Sequence, residues 1–376
     1  MTSPPAVIGD VVVVGSSTDD NSRAEMPSGI VRGFDARTGA QLWSWKPLLP
    51  PAQNPTSDTS KLWRTGAGNA WTMTADPEHG LVFVPTGSAG PDYNGGLRLG
   101  DNKWANSVVA LRDKAGELAW GFQLVHHDLW DYDTASPPLL ATINHDGRDI
   151  PVVIQGNKTG MLYFLNRDAD LPVFGVQERP VPQSDVAGEA ASPTQPFPLA
   201  PPPLVPQKLP ITDVWGVTPE EREAVRARLQ PLRNEGIFTP PSVRGSLIVP
   251  GNVGGMNWSG YAFDPTRGLL IVNVNILPPK SALFRAPSLT TPATGPKRAN
   301  TPNKPEHRSA SFALSSEVLP ACRVAHRCGV SWSPLTWRKA KFARKSLWVP
   351  LPSAFPPPAF LREVSALAAR LSPPAD

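Results

Sequence analysis

Apolar residues in this chain come in short bursts rather than in long helical stripes. Residues 6–15, A-V-I-G-D-V-V-V-V-G, form a β-branched run broken only by Gly9 and Asp10, which predicts a hairpin of buried strands. Residues 29–45, G-I-V-R-G-F-D-A-R-T-G-A-Q-L-W-S-W, predict strand, turn at Thr38-Gly39 and strand. The unit returns at 107–122, S-V-V-A-L-R-D-K-A-G-E-L-A-W-G-F, and each copy places glycine four residues ahead of tryptophan (Gly39 and Trp43, Gly116 and Trp120). A third, weaker copy spans 161–174, and further strands are predicted at 80–85, 149–155, 245–250 and 268–275. Short strands, turn glycines and an aromatic repeat predict an all-β chain of β-propeller type. A β-sandwich is the competing architecture.

Residues 179–241 interrupt this pattern. They are proline-rich, as in P-L-A-P-P-P-L-V-P at 198–206, and predict mostly extended loop. One helix is legible inside them. Thr218 can cap it, Pro219 suits its first turn, and Glu221 completes a capping box; no breaker follows until Pro231, and Gly236 closes the segment. The segment predicts an excursion over the propeller rim, long enough to carry a function. After Pro278 the alternation stops. Residues 1–278 therefore predict the propeller part and 279–376 a basic tail of low order.

Composition changes the picture in one respect. The net charge of +4 over 376 residues joins two unlike pieces. Residues 279–376 hold 15 Lys and Arg against 4 Asp and Glu, a balance of +11, and the rest carries −7. The basic character belongs to the tail, so it gives no reason to expect nucleic acid as a partner of the body. Both cysteines, Cys322 and Cys328, also lie in the tail; with His326 they lack a fourth ligand and the pair spacing of a zinc site. No run of about 18 apolar residues is present to span a membrane. Met1-Thr2-Ser3-Pro4-Pro5 leads straight into a strand without signal-peptide character.

Chemistry concentrates between Val125 and Lys158. V-H-H-D-L-W-D-Y-D packs His126, His127, three aspartates and Trp130 into nine residues, and an apolar strand then leads to Q-G-N-K-T-G. Loops on a rigid sheet are where binding and catalysis gather. A polar turn capped by its own side chains is the alternative.

At V-H-H-D-L-W-D-Y-D, N-K-T-G and G-N-V-G-G-M-N-W the chain resembles the membrane-bound quinoprotein glucose dehydrogenases. These enzymes use pyrroloquinoline quinone (PQQ). The resemblance covers about residues 3–278 and includes R-P-V-P-Q-S-D, S-P-T-Q-P-F and F-T-P-P-S around the excursion. It implies part of an eight-bladed propeller whose Gly-to-Trp repeat docks adjacent blades, with Asp35 kept in the first copy and Arg112, a weakening substitution, in the second. It implies an oxidoreductase that converts an aldose to the lactone, with membrane ubiquinone as electron sink, at the periplasmic face of the inner membrane. Asp131 is then the general base and Lys158 the cation beside the quinone. Trp71 stacks on the cofactor, unless it is ordinary core, and Asn252 contacts it. Calcium or magnesium takes oxygen ligands from Asp20 or Asn21, and Ser88 stands in where Gly90 offers no side chain. His126 and His127 either orient Asp131 or pack. Related readings are a quinate or glycerol dehydrogenase of the PQQ group, or a non-enzymatic propeller that binds proteins.

Against the family pattern, the chain begins inside the propeller, and the upstream membrane helices, first blades, arginine and histidine are missing. A fragment without measurable activity is expected. The tail departs wholly, and a slipped reading frame near Pro278 accounts for it. Joining the third base of each codon to the first two of the next, residues 285–307 can encode RAEFDNARNRAKAGEYTEQAGTP. Residues 334–347 can encode VDLAEGKIR followed by a short VPL-like strand. Both strings resemble what the family carries next, at one offset.

Overall fold

The computed structural model describes residues 3–16, 29–48, 71–169, 171–214 and 216–275, with the backbone of a strand at 346–350. Four antiparallel strands open the chain in spatial order: β1 (Ala6–Ile8), β2 (Val11–Val14), β3 (Val31–Asp35) and β4 (Gln41–Trp45). A second sheet repeats the plan with β5 (Thr74–Asp76), β6 (Leu81–Pro85), β7 (Ser107–Arg112) and β8 (Leu118–Gln123). A third has β9 (Leu139–His145), β10 (Arg148–Gly156) and β11 (Leu162–Asn166), with β10 in the middle. After a hairpin of β12 (Val176–Pro180) and β13 (Thr194–Pro198) and a helix, α1 (Pro219–Leu229), come β14 (Tyr261–Asp264) and β15 (Leu269–Asn273), which pairs with β16 (Ser346–Pro350). These meanders of neighbouring strands are propeller blades.

The cores lie between successive blades. Alternate residues of a strand face opposite ways, so each inner strand feeds two cores. On β7, Val109 and Leu111 pack with Val13, Val31 and Trp43 of the first blade, while Val108 and Ala110 pack toward Val153 and Leu165 of the third. On β10, Val153 faces back, and Val152 and Ile154 face forward to Leu270 and Val272. This two-sided burial explains why V-V-V-V and S-V-V-A-L read as apolar runs rather than as a strict alternation.

The Gly-to-Trp repeat stitches blade to blade. Trp43 donates its indole N–H to the carbonyl of Asp113 at 2.7 Å, and Trp120 donates to the carbonyl of Arg167, in the matching place one blade on, at 2.9 Å. The bare face of Gly116 lies against the Trp43 ring, where any Cβ would overlap it. The indole bond of Trp43 forms with Arg112 present in the second copy. Asp35 instead holds its own turn, accepting the N–H groups of Arg37 and Thr38. The acceptors between blades are the backbone carbonyls of Asp113 and Arg167, so the indole bond of Trp43 does not depend on the side chain at position 112.

Two predicted elements differ. Residues 245–250 form no strand, although their alternation is real: Leu247 and Val249 pack beside α1, and Ile248 enters the central core. Among the described residues only a single parallel bridge, Arg233 to Ser246, lies alongside. The third copy ends in one bridge, Leu165 to Pro172, because Pro172 has no N–H to extend a ladder. The excursion is more ordered than its prolines imply, since β12 and β13 pair within it. Its helix forms as expected. Thr218 Oγ accepts from the N–H of Glu221 at 3.2 Å, and Glu221 reaches back to the N–H of Val217 at 2.8 Å. Asp20, Asn21 and the tail, apart from the backbone of β16, lie outside the described residues.

Candidate active site

Four connections meet at one end of the blades: residues 86–106 between β6 and β7, 124–138 between β8 and β9, the β10–β11 turn at 157–161, and 251–260 before β14. The sequence of the second explains its shape. Trp130 and Tyr132 turn inward. The Trp130 indole donates to the carbonyl of Thr239 at 2.7 Å, the Tyr132 hydroxyl donates to that of Pro250 at 2.6 Å, and both rings pack on Phe238. Asp131 and Asp133 therefore project the other way. Asp131 takes a left-handed backbone, φ +61°, which aspartate tolerates better than most residues.

Lys158 meets both carboxylates. Its ammonium donates to Asp131 Oδ1 at 3.0 Å and to Asp133 Oδ2 at 2.7 Å, and all three side chains are at least 86% buried. Asp131 and Lys158 are thus in direct contact. Gly254 is pressed onto the Lys158 stem, where a side chain would overlap Lys158 Cβ, and Gly255 donates to the Lys158 carbonyl at 2.8 Å. Burial is the largest influence on each group. It raises Asp131 well above the usual carboxylate range, helped by the neighbouring charge of Asp133 and only partly offset by Lys158. Burial also pushes on Asp133, but the Lys158 ammonium and the N–H of Ser88 outweigh it and hold that carboxylate below its ordinary value. Burial would lower Lys158, yet the two carboxylates raise it instead. Environments that drive two adjacent carboxyls apart set up distinct acid and base roles.

A second carboxylate network supports this one from below. Asp128 is fully enclosed. It accepts from the N–H groups of Trp130 (2.9 Å) and Tyr132 (2.8 Å), from Asn106 Nδ2 (2.9 Å) and from the Ser88 hydroxyl. Arg98, itself buried, donates to the Asp128 carbonyl at 2.5 Å. Ser88 is thus committed twice, its hydroxyl to Asp128 and its N–H to Asp133 Oδ1 at 2.7 Å.

The remaining expected residues fall as follows. Trp71 lies at the same end, its ring 5.7 Å from that of Trp258 and its indole N–H buried without a partner. Asn252 donates to the hydroxyl of Tyr93 at 3.2 Å, and Tyr93 stands 3.5 Å from Asp131 Oδ2. Neither histidine touches Asp131. His126 bonds Gln123 and Glu178, and His127 bonds the Gly100 carbonyl and Glu189. Both are packing residues that fasten the loop to its neighbours.

Sequence reasoning passed over Asp133, Asp128 and Tyr93. Asp133 was legible: it stands two residues from Asp131 in the same motif. Nothing in the local sequence singles out Tyr93 or the Asp128 network, because the side chains that bond them lie 22 to 159 residues away.

The family described as "PQQ: Glucose/ethanol/alcohol dehydrogenase, beta-propeller domain" matches residues 1–328. The chain belongs to this PQQ dehydrogenase family. Within it, the chain is 40% identical over 284 residues to a glycerol dehydrogenase large subunit of Gluconobacter thailandicus, covering 74% of this chain and 38% of the relative. It is 38% identical over 304 residues to a quinoprotein glucose dehydrogenase of Escherichia coli (79% and 37% covered). It is 37% identical over 276 residues to a quinate/shikimate dehydrogenase (quinone) of Acinetobacter baylyi (73% and 34% covered). The chain therefore spans little more than a third of the length of these relatives. A solved quinohemoprotein alcohol dehydrogenase from Comamonas testosteroni has the same fold, with a TM-score of 0.51 and 23% identity over 73% of this chain and 37% of that one.

The residues of this PQQ dehydrogenase chain fit a planar anionic quinone. Trp71 offers a ring face and a partnerless indole N–H, Lys158 supplies a cation, and Gly87 leaves room where a Cβ would come within 2.5 Å of Asp133 Oδ1 and 3.2 Å of Trp71 Nε1. The fit to a metal is narrower. Ser88 has its hydroxyl engaged, and the oxygens of Asp131 and Asp133 that face Lys158 are taken.

Proposed function

We propose that this chain carries the catalytic end of a quinoprotein glucose dehydrogenase, oxidising an aldose at C1 to the lactone. The reading is carried by Lys158 buried between Asp131 and Asp133, an arrangement too costly to keep as a mere turn, since each buried ion carries a desolvation penalty of several kcal/mol. Bound PQQ supplies the oxidant that takes the hydride from C1. Asp131, with its high proton affinity, takes the proton of the C1 hydroxyl. Lys158 holds Asp133 ionised and presents positive charge to the cofactor. Trp71 and Asn252 would hold the cofactor from its face and edge. Asp20 or Asn21 would give an oxygen to calcium or magnesium; Ser88, the other donor of the resemblance, instead supports Asp128 with its hydroxyl. In the whole protein the electrons pass to ubiquinone through a membrane domain, on the periplasmic side of the inner membrane.

The 40% identity to a glycerol dehydrogenase supports a second reading, a polyol in place of the sugar. A full-length, in-frame version assayed with PQQ, calcium and a dye acceptor separates the two. Glucose is expected to give the highest kcat/KM among glucose, glycerol and quinate; a higher value for glycerol or quinate replaces the assignment. PQQ is also expected to quench the tryptophan fluorescence of this chain through Trp71, whereas a protein-binding propeller would leave it unchanged.

We further propose that residues 1–278 are the native propeller part and that residues from about 279 onward are translated out of frame, with no selected role for the tail's charge, tryptophans or cysteines. The chain alone is then expected to give no glucose-dependent dye reduction. The coding DNA tests the frame: early stops in the shifted frame, in place of the two family-like strings, would end the proposal.

A further inference from the structure

We propose that Tyr93 is a positioning residue for Asp131, with Asn252 setting the direction of its hydroxyl. This rests on the reading of Asp131 as the proton acceptor. The Tyr93 ring is buried in the central core, on the connection between β6 and β7, so only its hydroxyl reaches the site. Asn252 Nδ2 donates to the phenolic oxygen at 3.2 Å. That donation occupies an oxygen lone pair and leaves the phenol proton to point at Asp131 Oδ2, 3.5 Å away. Lys158 meanwhile holds Oδ1. The two oxygens of one carboxylate are thus told apart: one faces a cation, the other a neutral donor.

The phenol is fit for donation only. Burial, followed by the charges of Asp131 and Asp92, pushes its pKa far up, so it keeps its proton at any working pH. The charged groups that act on Asp131 are Asp133 on its own connection, Lys158 from the β10–β11 turn and Asp92 from the β6–β7 connection. Asp133 and Asp92 oppose its ionisation, and Lys158 favours it. A hydrogen bond to the ionised form favours it as well. At 3.5 Å the Tyr93 bond is at the long limit, as catalytic hydrogen bonds commonly are before substrate binds. Asn252, proposed above to hold the cofactor at its edge, thus also aims Tyr93.

The test is an infrared titration of this chain, with the Asp131 carboxyl band identified by its loss in Asp131→Asn. Tyr93→Phe keeps the buried ring and removes only the donor. It is expected to move the Asp131 titration up by about half to one pH unit. Asn252→Leu is expected to move it in the same direction by less, and the double variant no further than Tyr93→Phe alone, because the two act in series. In the loaded in-frame enzyme the acid limb of kcat/KM shifts with it. An unmoved titration in Tyr93→Phe, or additive shifts in the double variant, overturns the proposal. Because the infrared reading needs no cofactor, an enzyme that proves not to use PQQ would sink the proposed function while leaving this result to be read on its own.

Discussion

Asp131 and Asp133, two residues apart, share one ammonium but are driven in opposite directions: burial keeps Asp131 inclined to hold a proton, and Lys158 keeps Asp133 ionised. Their substitutions should have opposite signs. Asp131 has a folded pKa above its unfolded value, so its contribution to stability is present at low pH and is lost as pH rises toward the folded pKa. Asp131→Asn is expected to stabilise the fold at neutral pH. Asp133 is depressed, so its contribution is present above the unfolded pKa and is lost as pH falls through the folded one. Asp133→Asn is expected to destabilise at neutral pH and to change little in acid. Urea unfolding at neutral and acid pH checks both, and equal signs at neutral pH would contradict the assignment.

A different buried pair ties the excursion to the site loop. His127 Nε2 lies 2.7 Å from Glu189 Oε1, with side chains 1% and 3% exposed, and Glu189 also accepts from the N–H of Gly95. Burial acts to raise Glu189, but His127, Arg98 and that N–H outweigh it and hold the carboxylate below its usual range. Its stabilising effect is therefore present above the unfolded pKa and declines as pH falls through the folded value. Glu189→Ala is expected to cost about 3–5 kcal/mol and to expose residues 181–200 to limited proteolysis. Glu178→Ala, which removes the half-exposed partner of His126, is expected to cost no more than about 1 kcal/mol.

Blade docking can be isolated by comparing two glycines. Gly39 and Gly116 share the same place in the repeat and a positive φ of +73° and +67°. A Cβ at Gly39 meets nothing within 4 Å, whereas one at Gly116 meets the Trp43 ring. Gly39→Ala should cost about 1–2 kcal/mol for backbone strain alone. Gly116→Ala should cost clearly more, with a change in Trp43 fluorescence. Equal losses would mean that the ring contact contributes nothing.

Ser88 offers a test of support against metal binding. Its hydroxyl donates to the enclosed Asp128, so Ser88→Ala is expected to destabilise by about 1–3 kcal/mol, by the same amount with calcium as with chelator. A loss seen only with calcium present would instead make Ser88 a ligand.

Much of the blade architecture was legible because it is local. The hairpins of β1–β2, β3–β4 and β7–β8 follow from short apolar runs and glycine turns within 20 residues, and α1 follows from a capping box contained in four residues. The strand predicted at 245–250 shows the limit: its alternation was genuine, but a ladder needs a partner, and among the described residues only a single bridge from Arg233 is available. The hairpin of β12 and β13 was hidden for the converse reason. Prolines suppress the local strand signal, while pairing between Val176 and Pro198 is set by distant closure.

At the site the division is the same. The sequence by itself determined which groups are present, Asp131, Asp133 and Lys158, and that both aspartates lie on one connection. Only the tertiary structure decided that one ammonium meets both carboxylates, that the Ser88 hydroxyl goes to Asp128, and that Tyr93, itself bonded by Asn252, reaches Oδ2 of Asp131. The physical reason is that proton affinity in a buried cluster is set by desolvation and by charges within a few ångströms. Those neighbours come from four connections that the chain brings together only when its blades have packed.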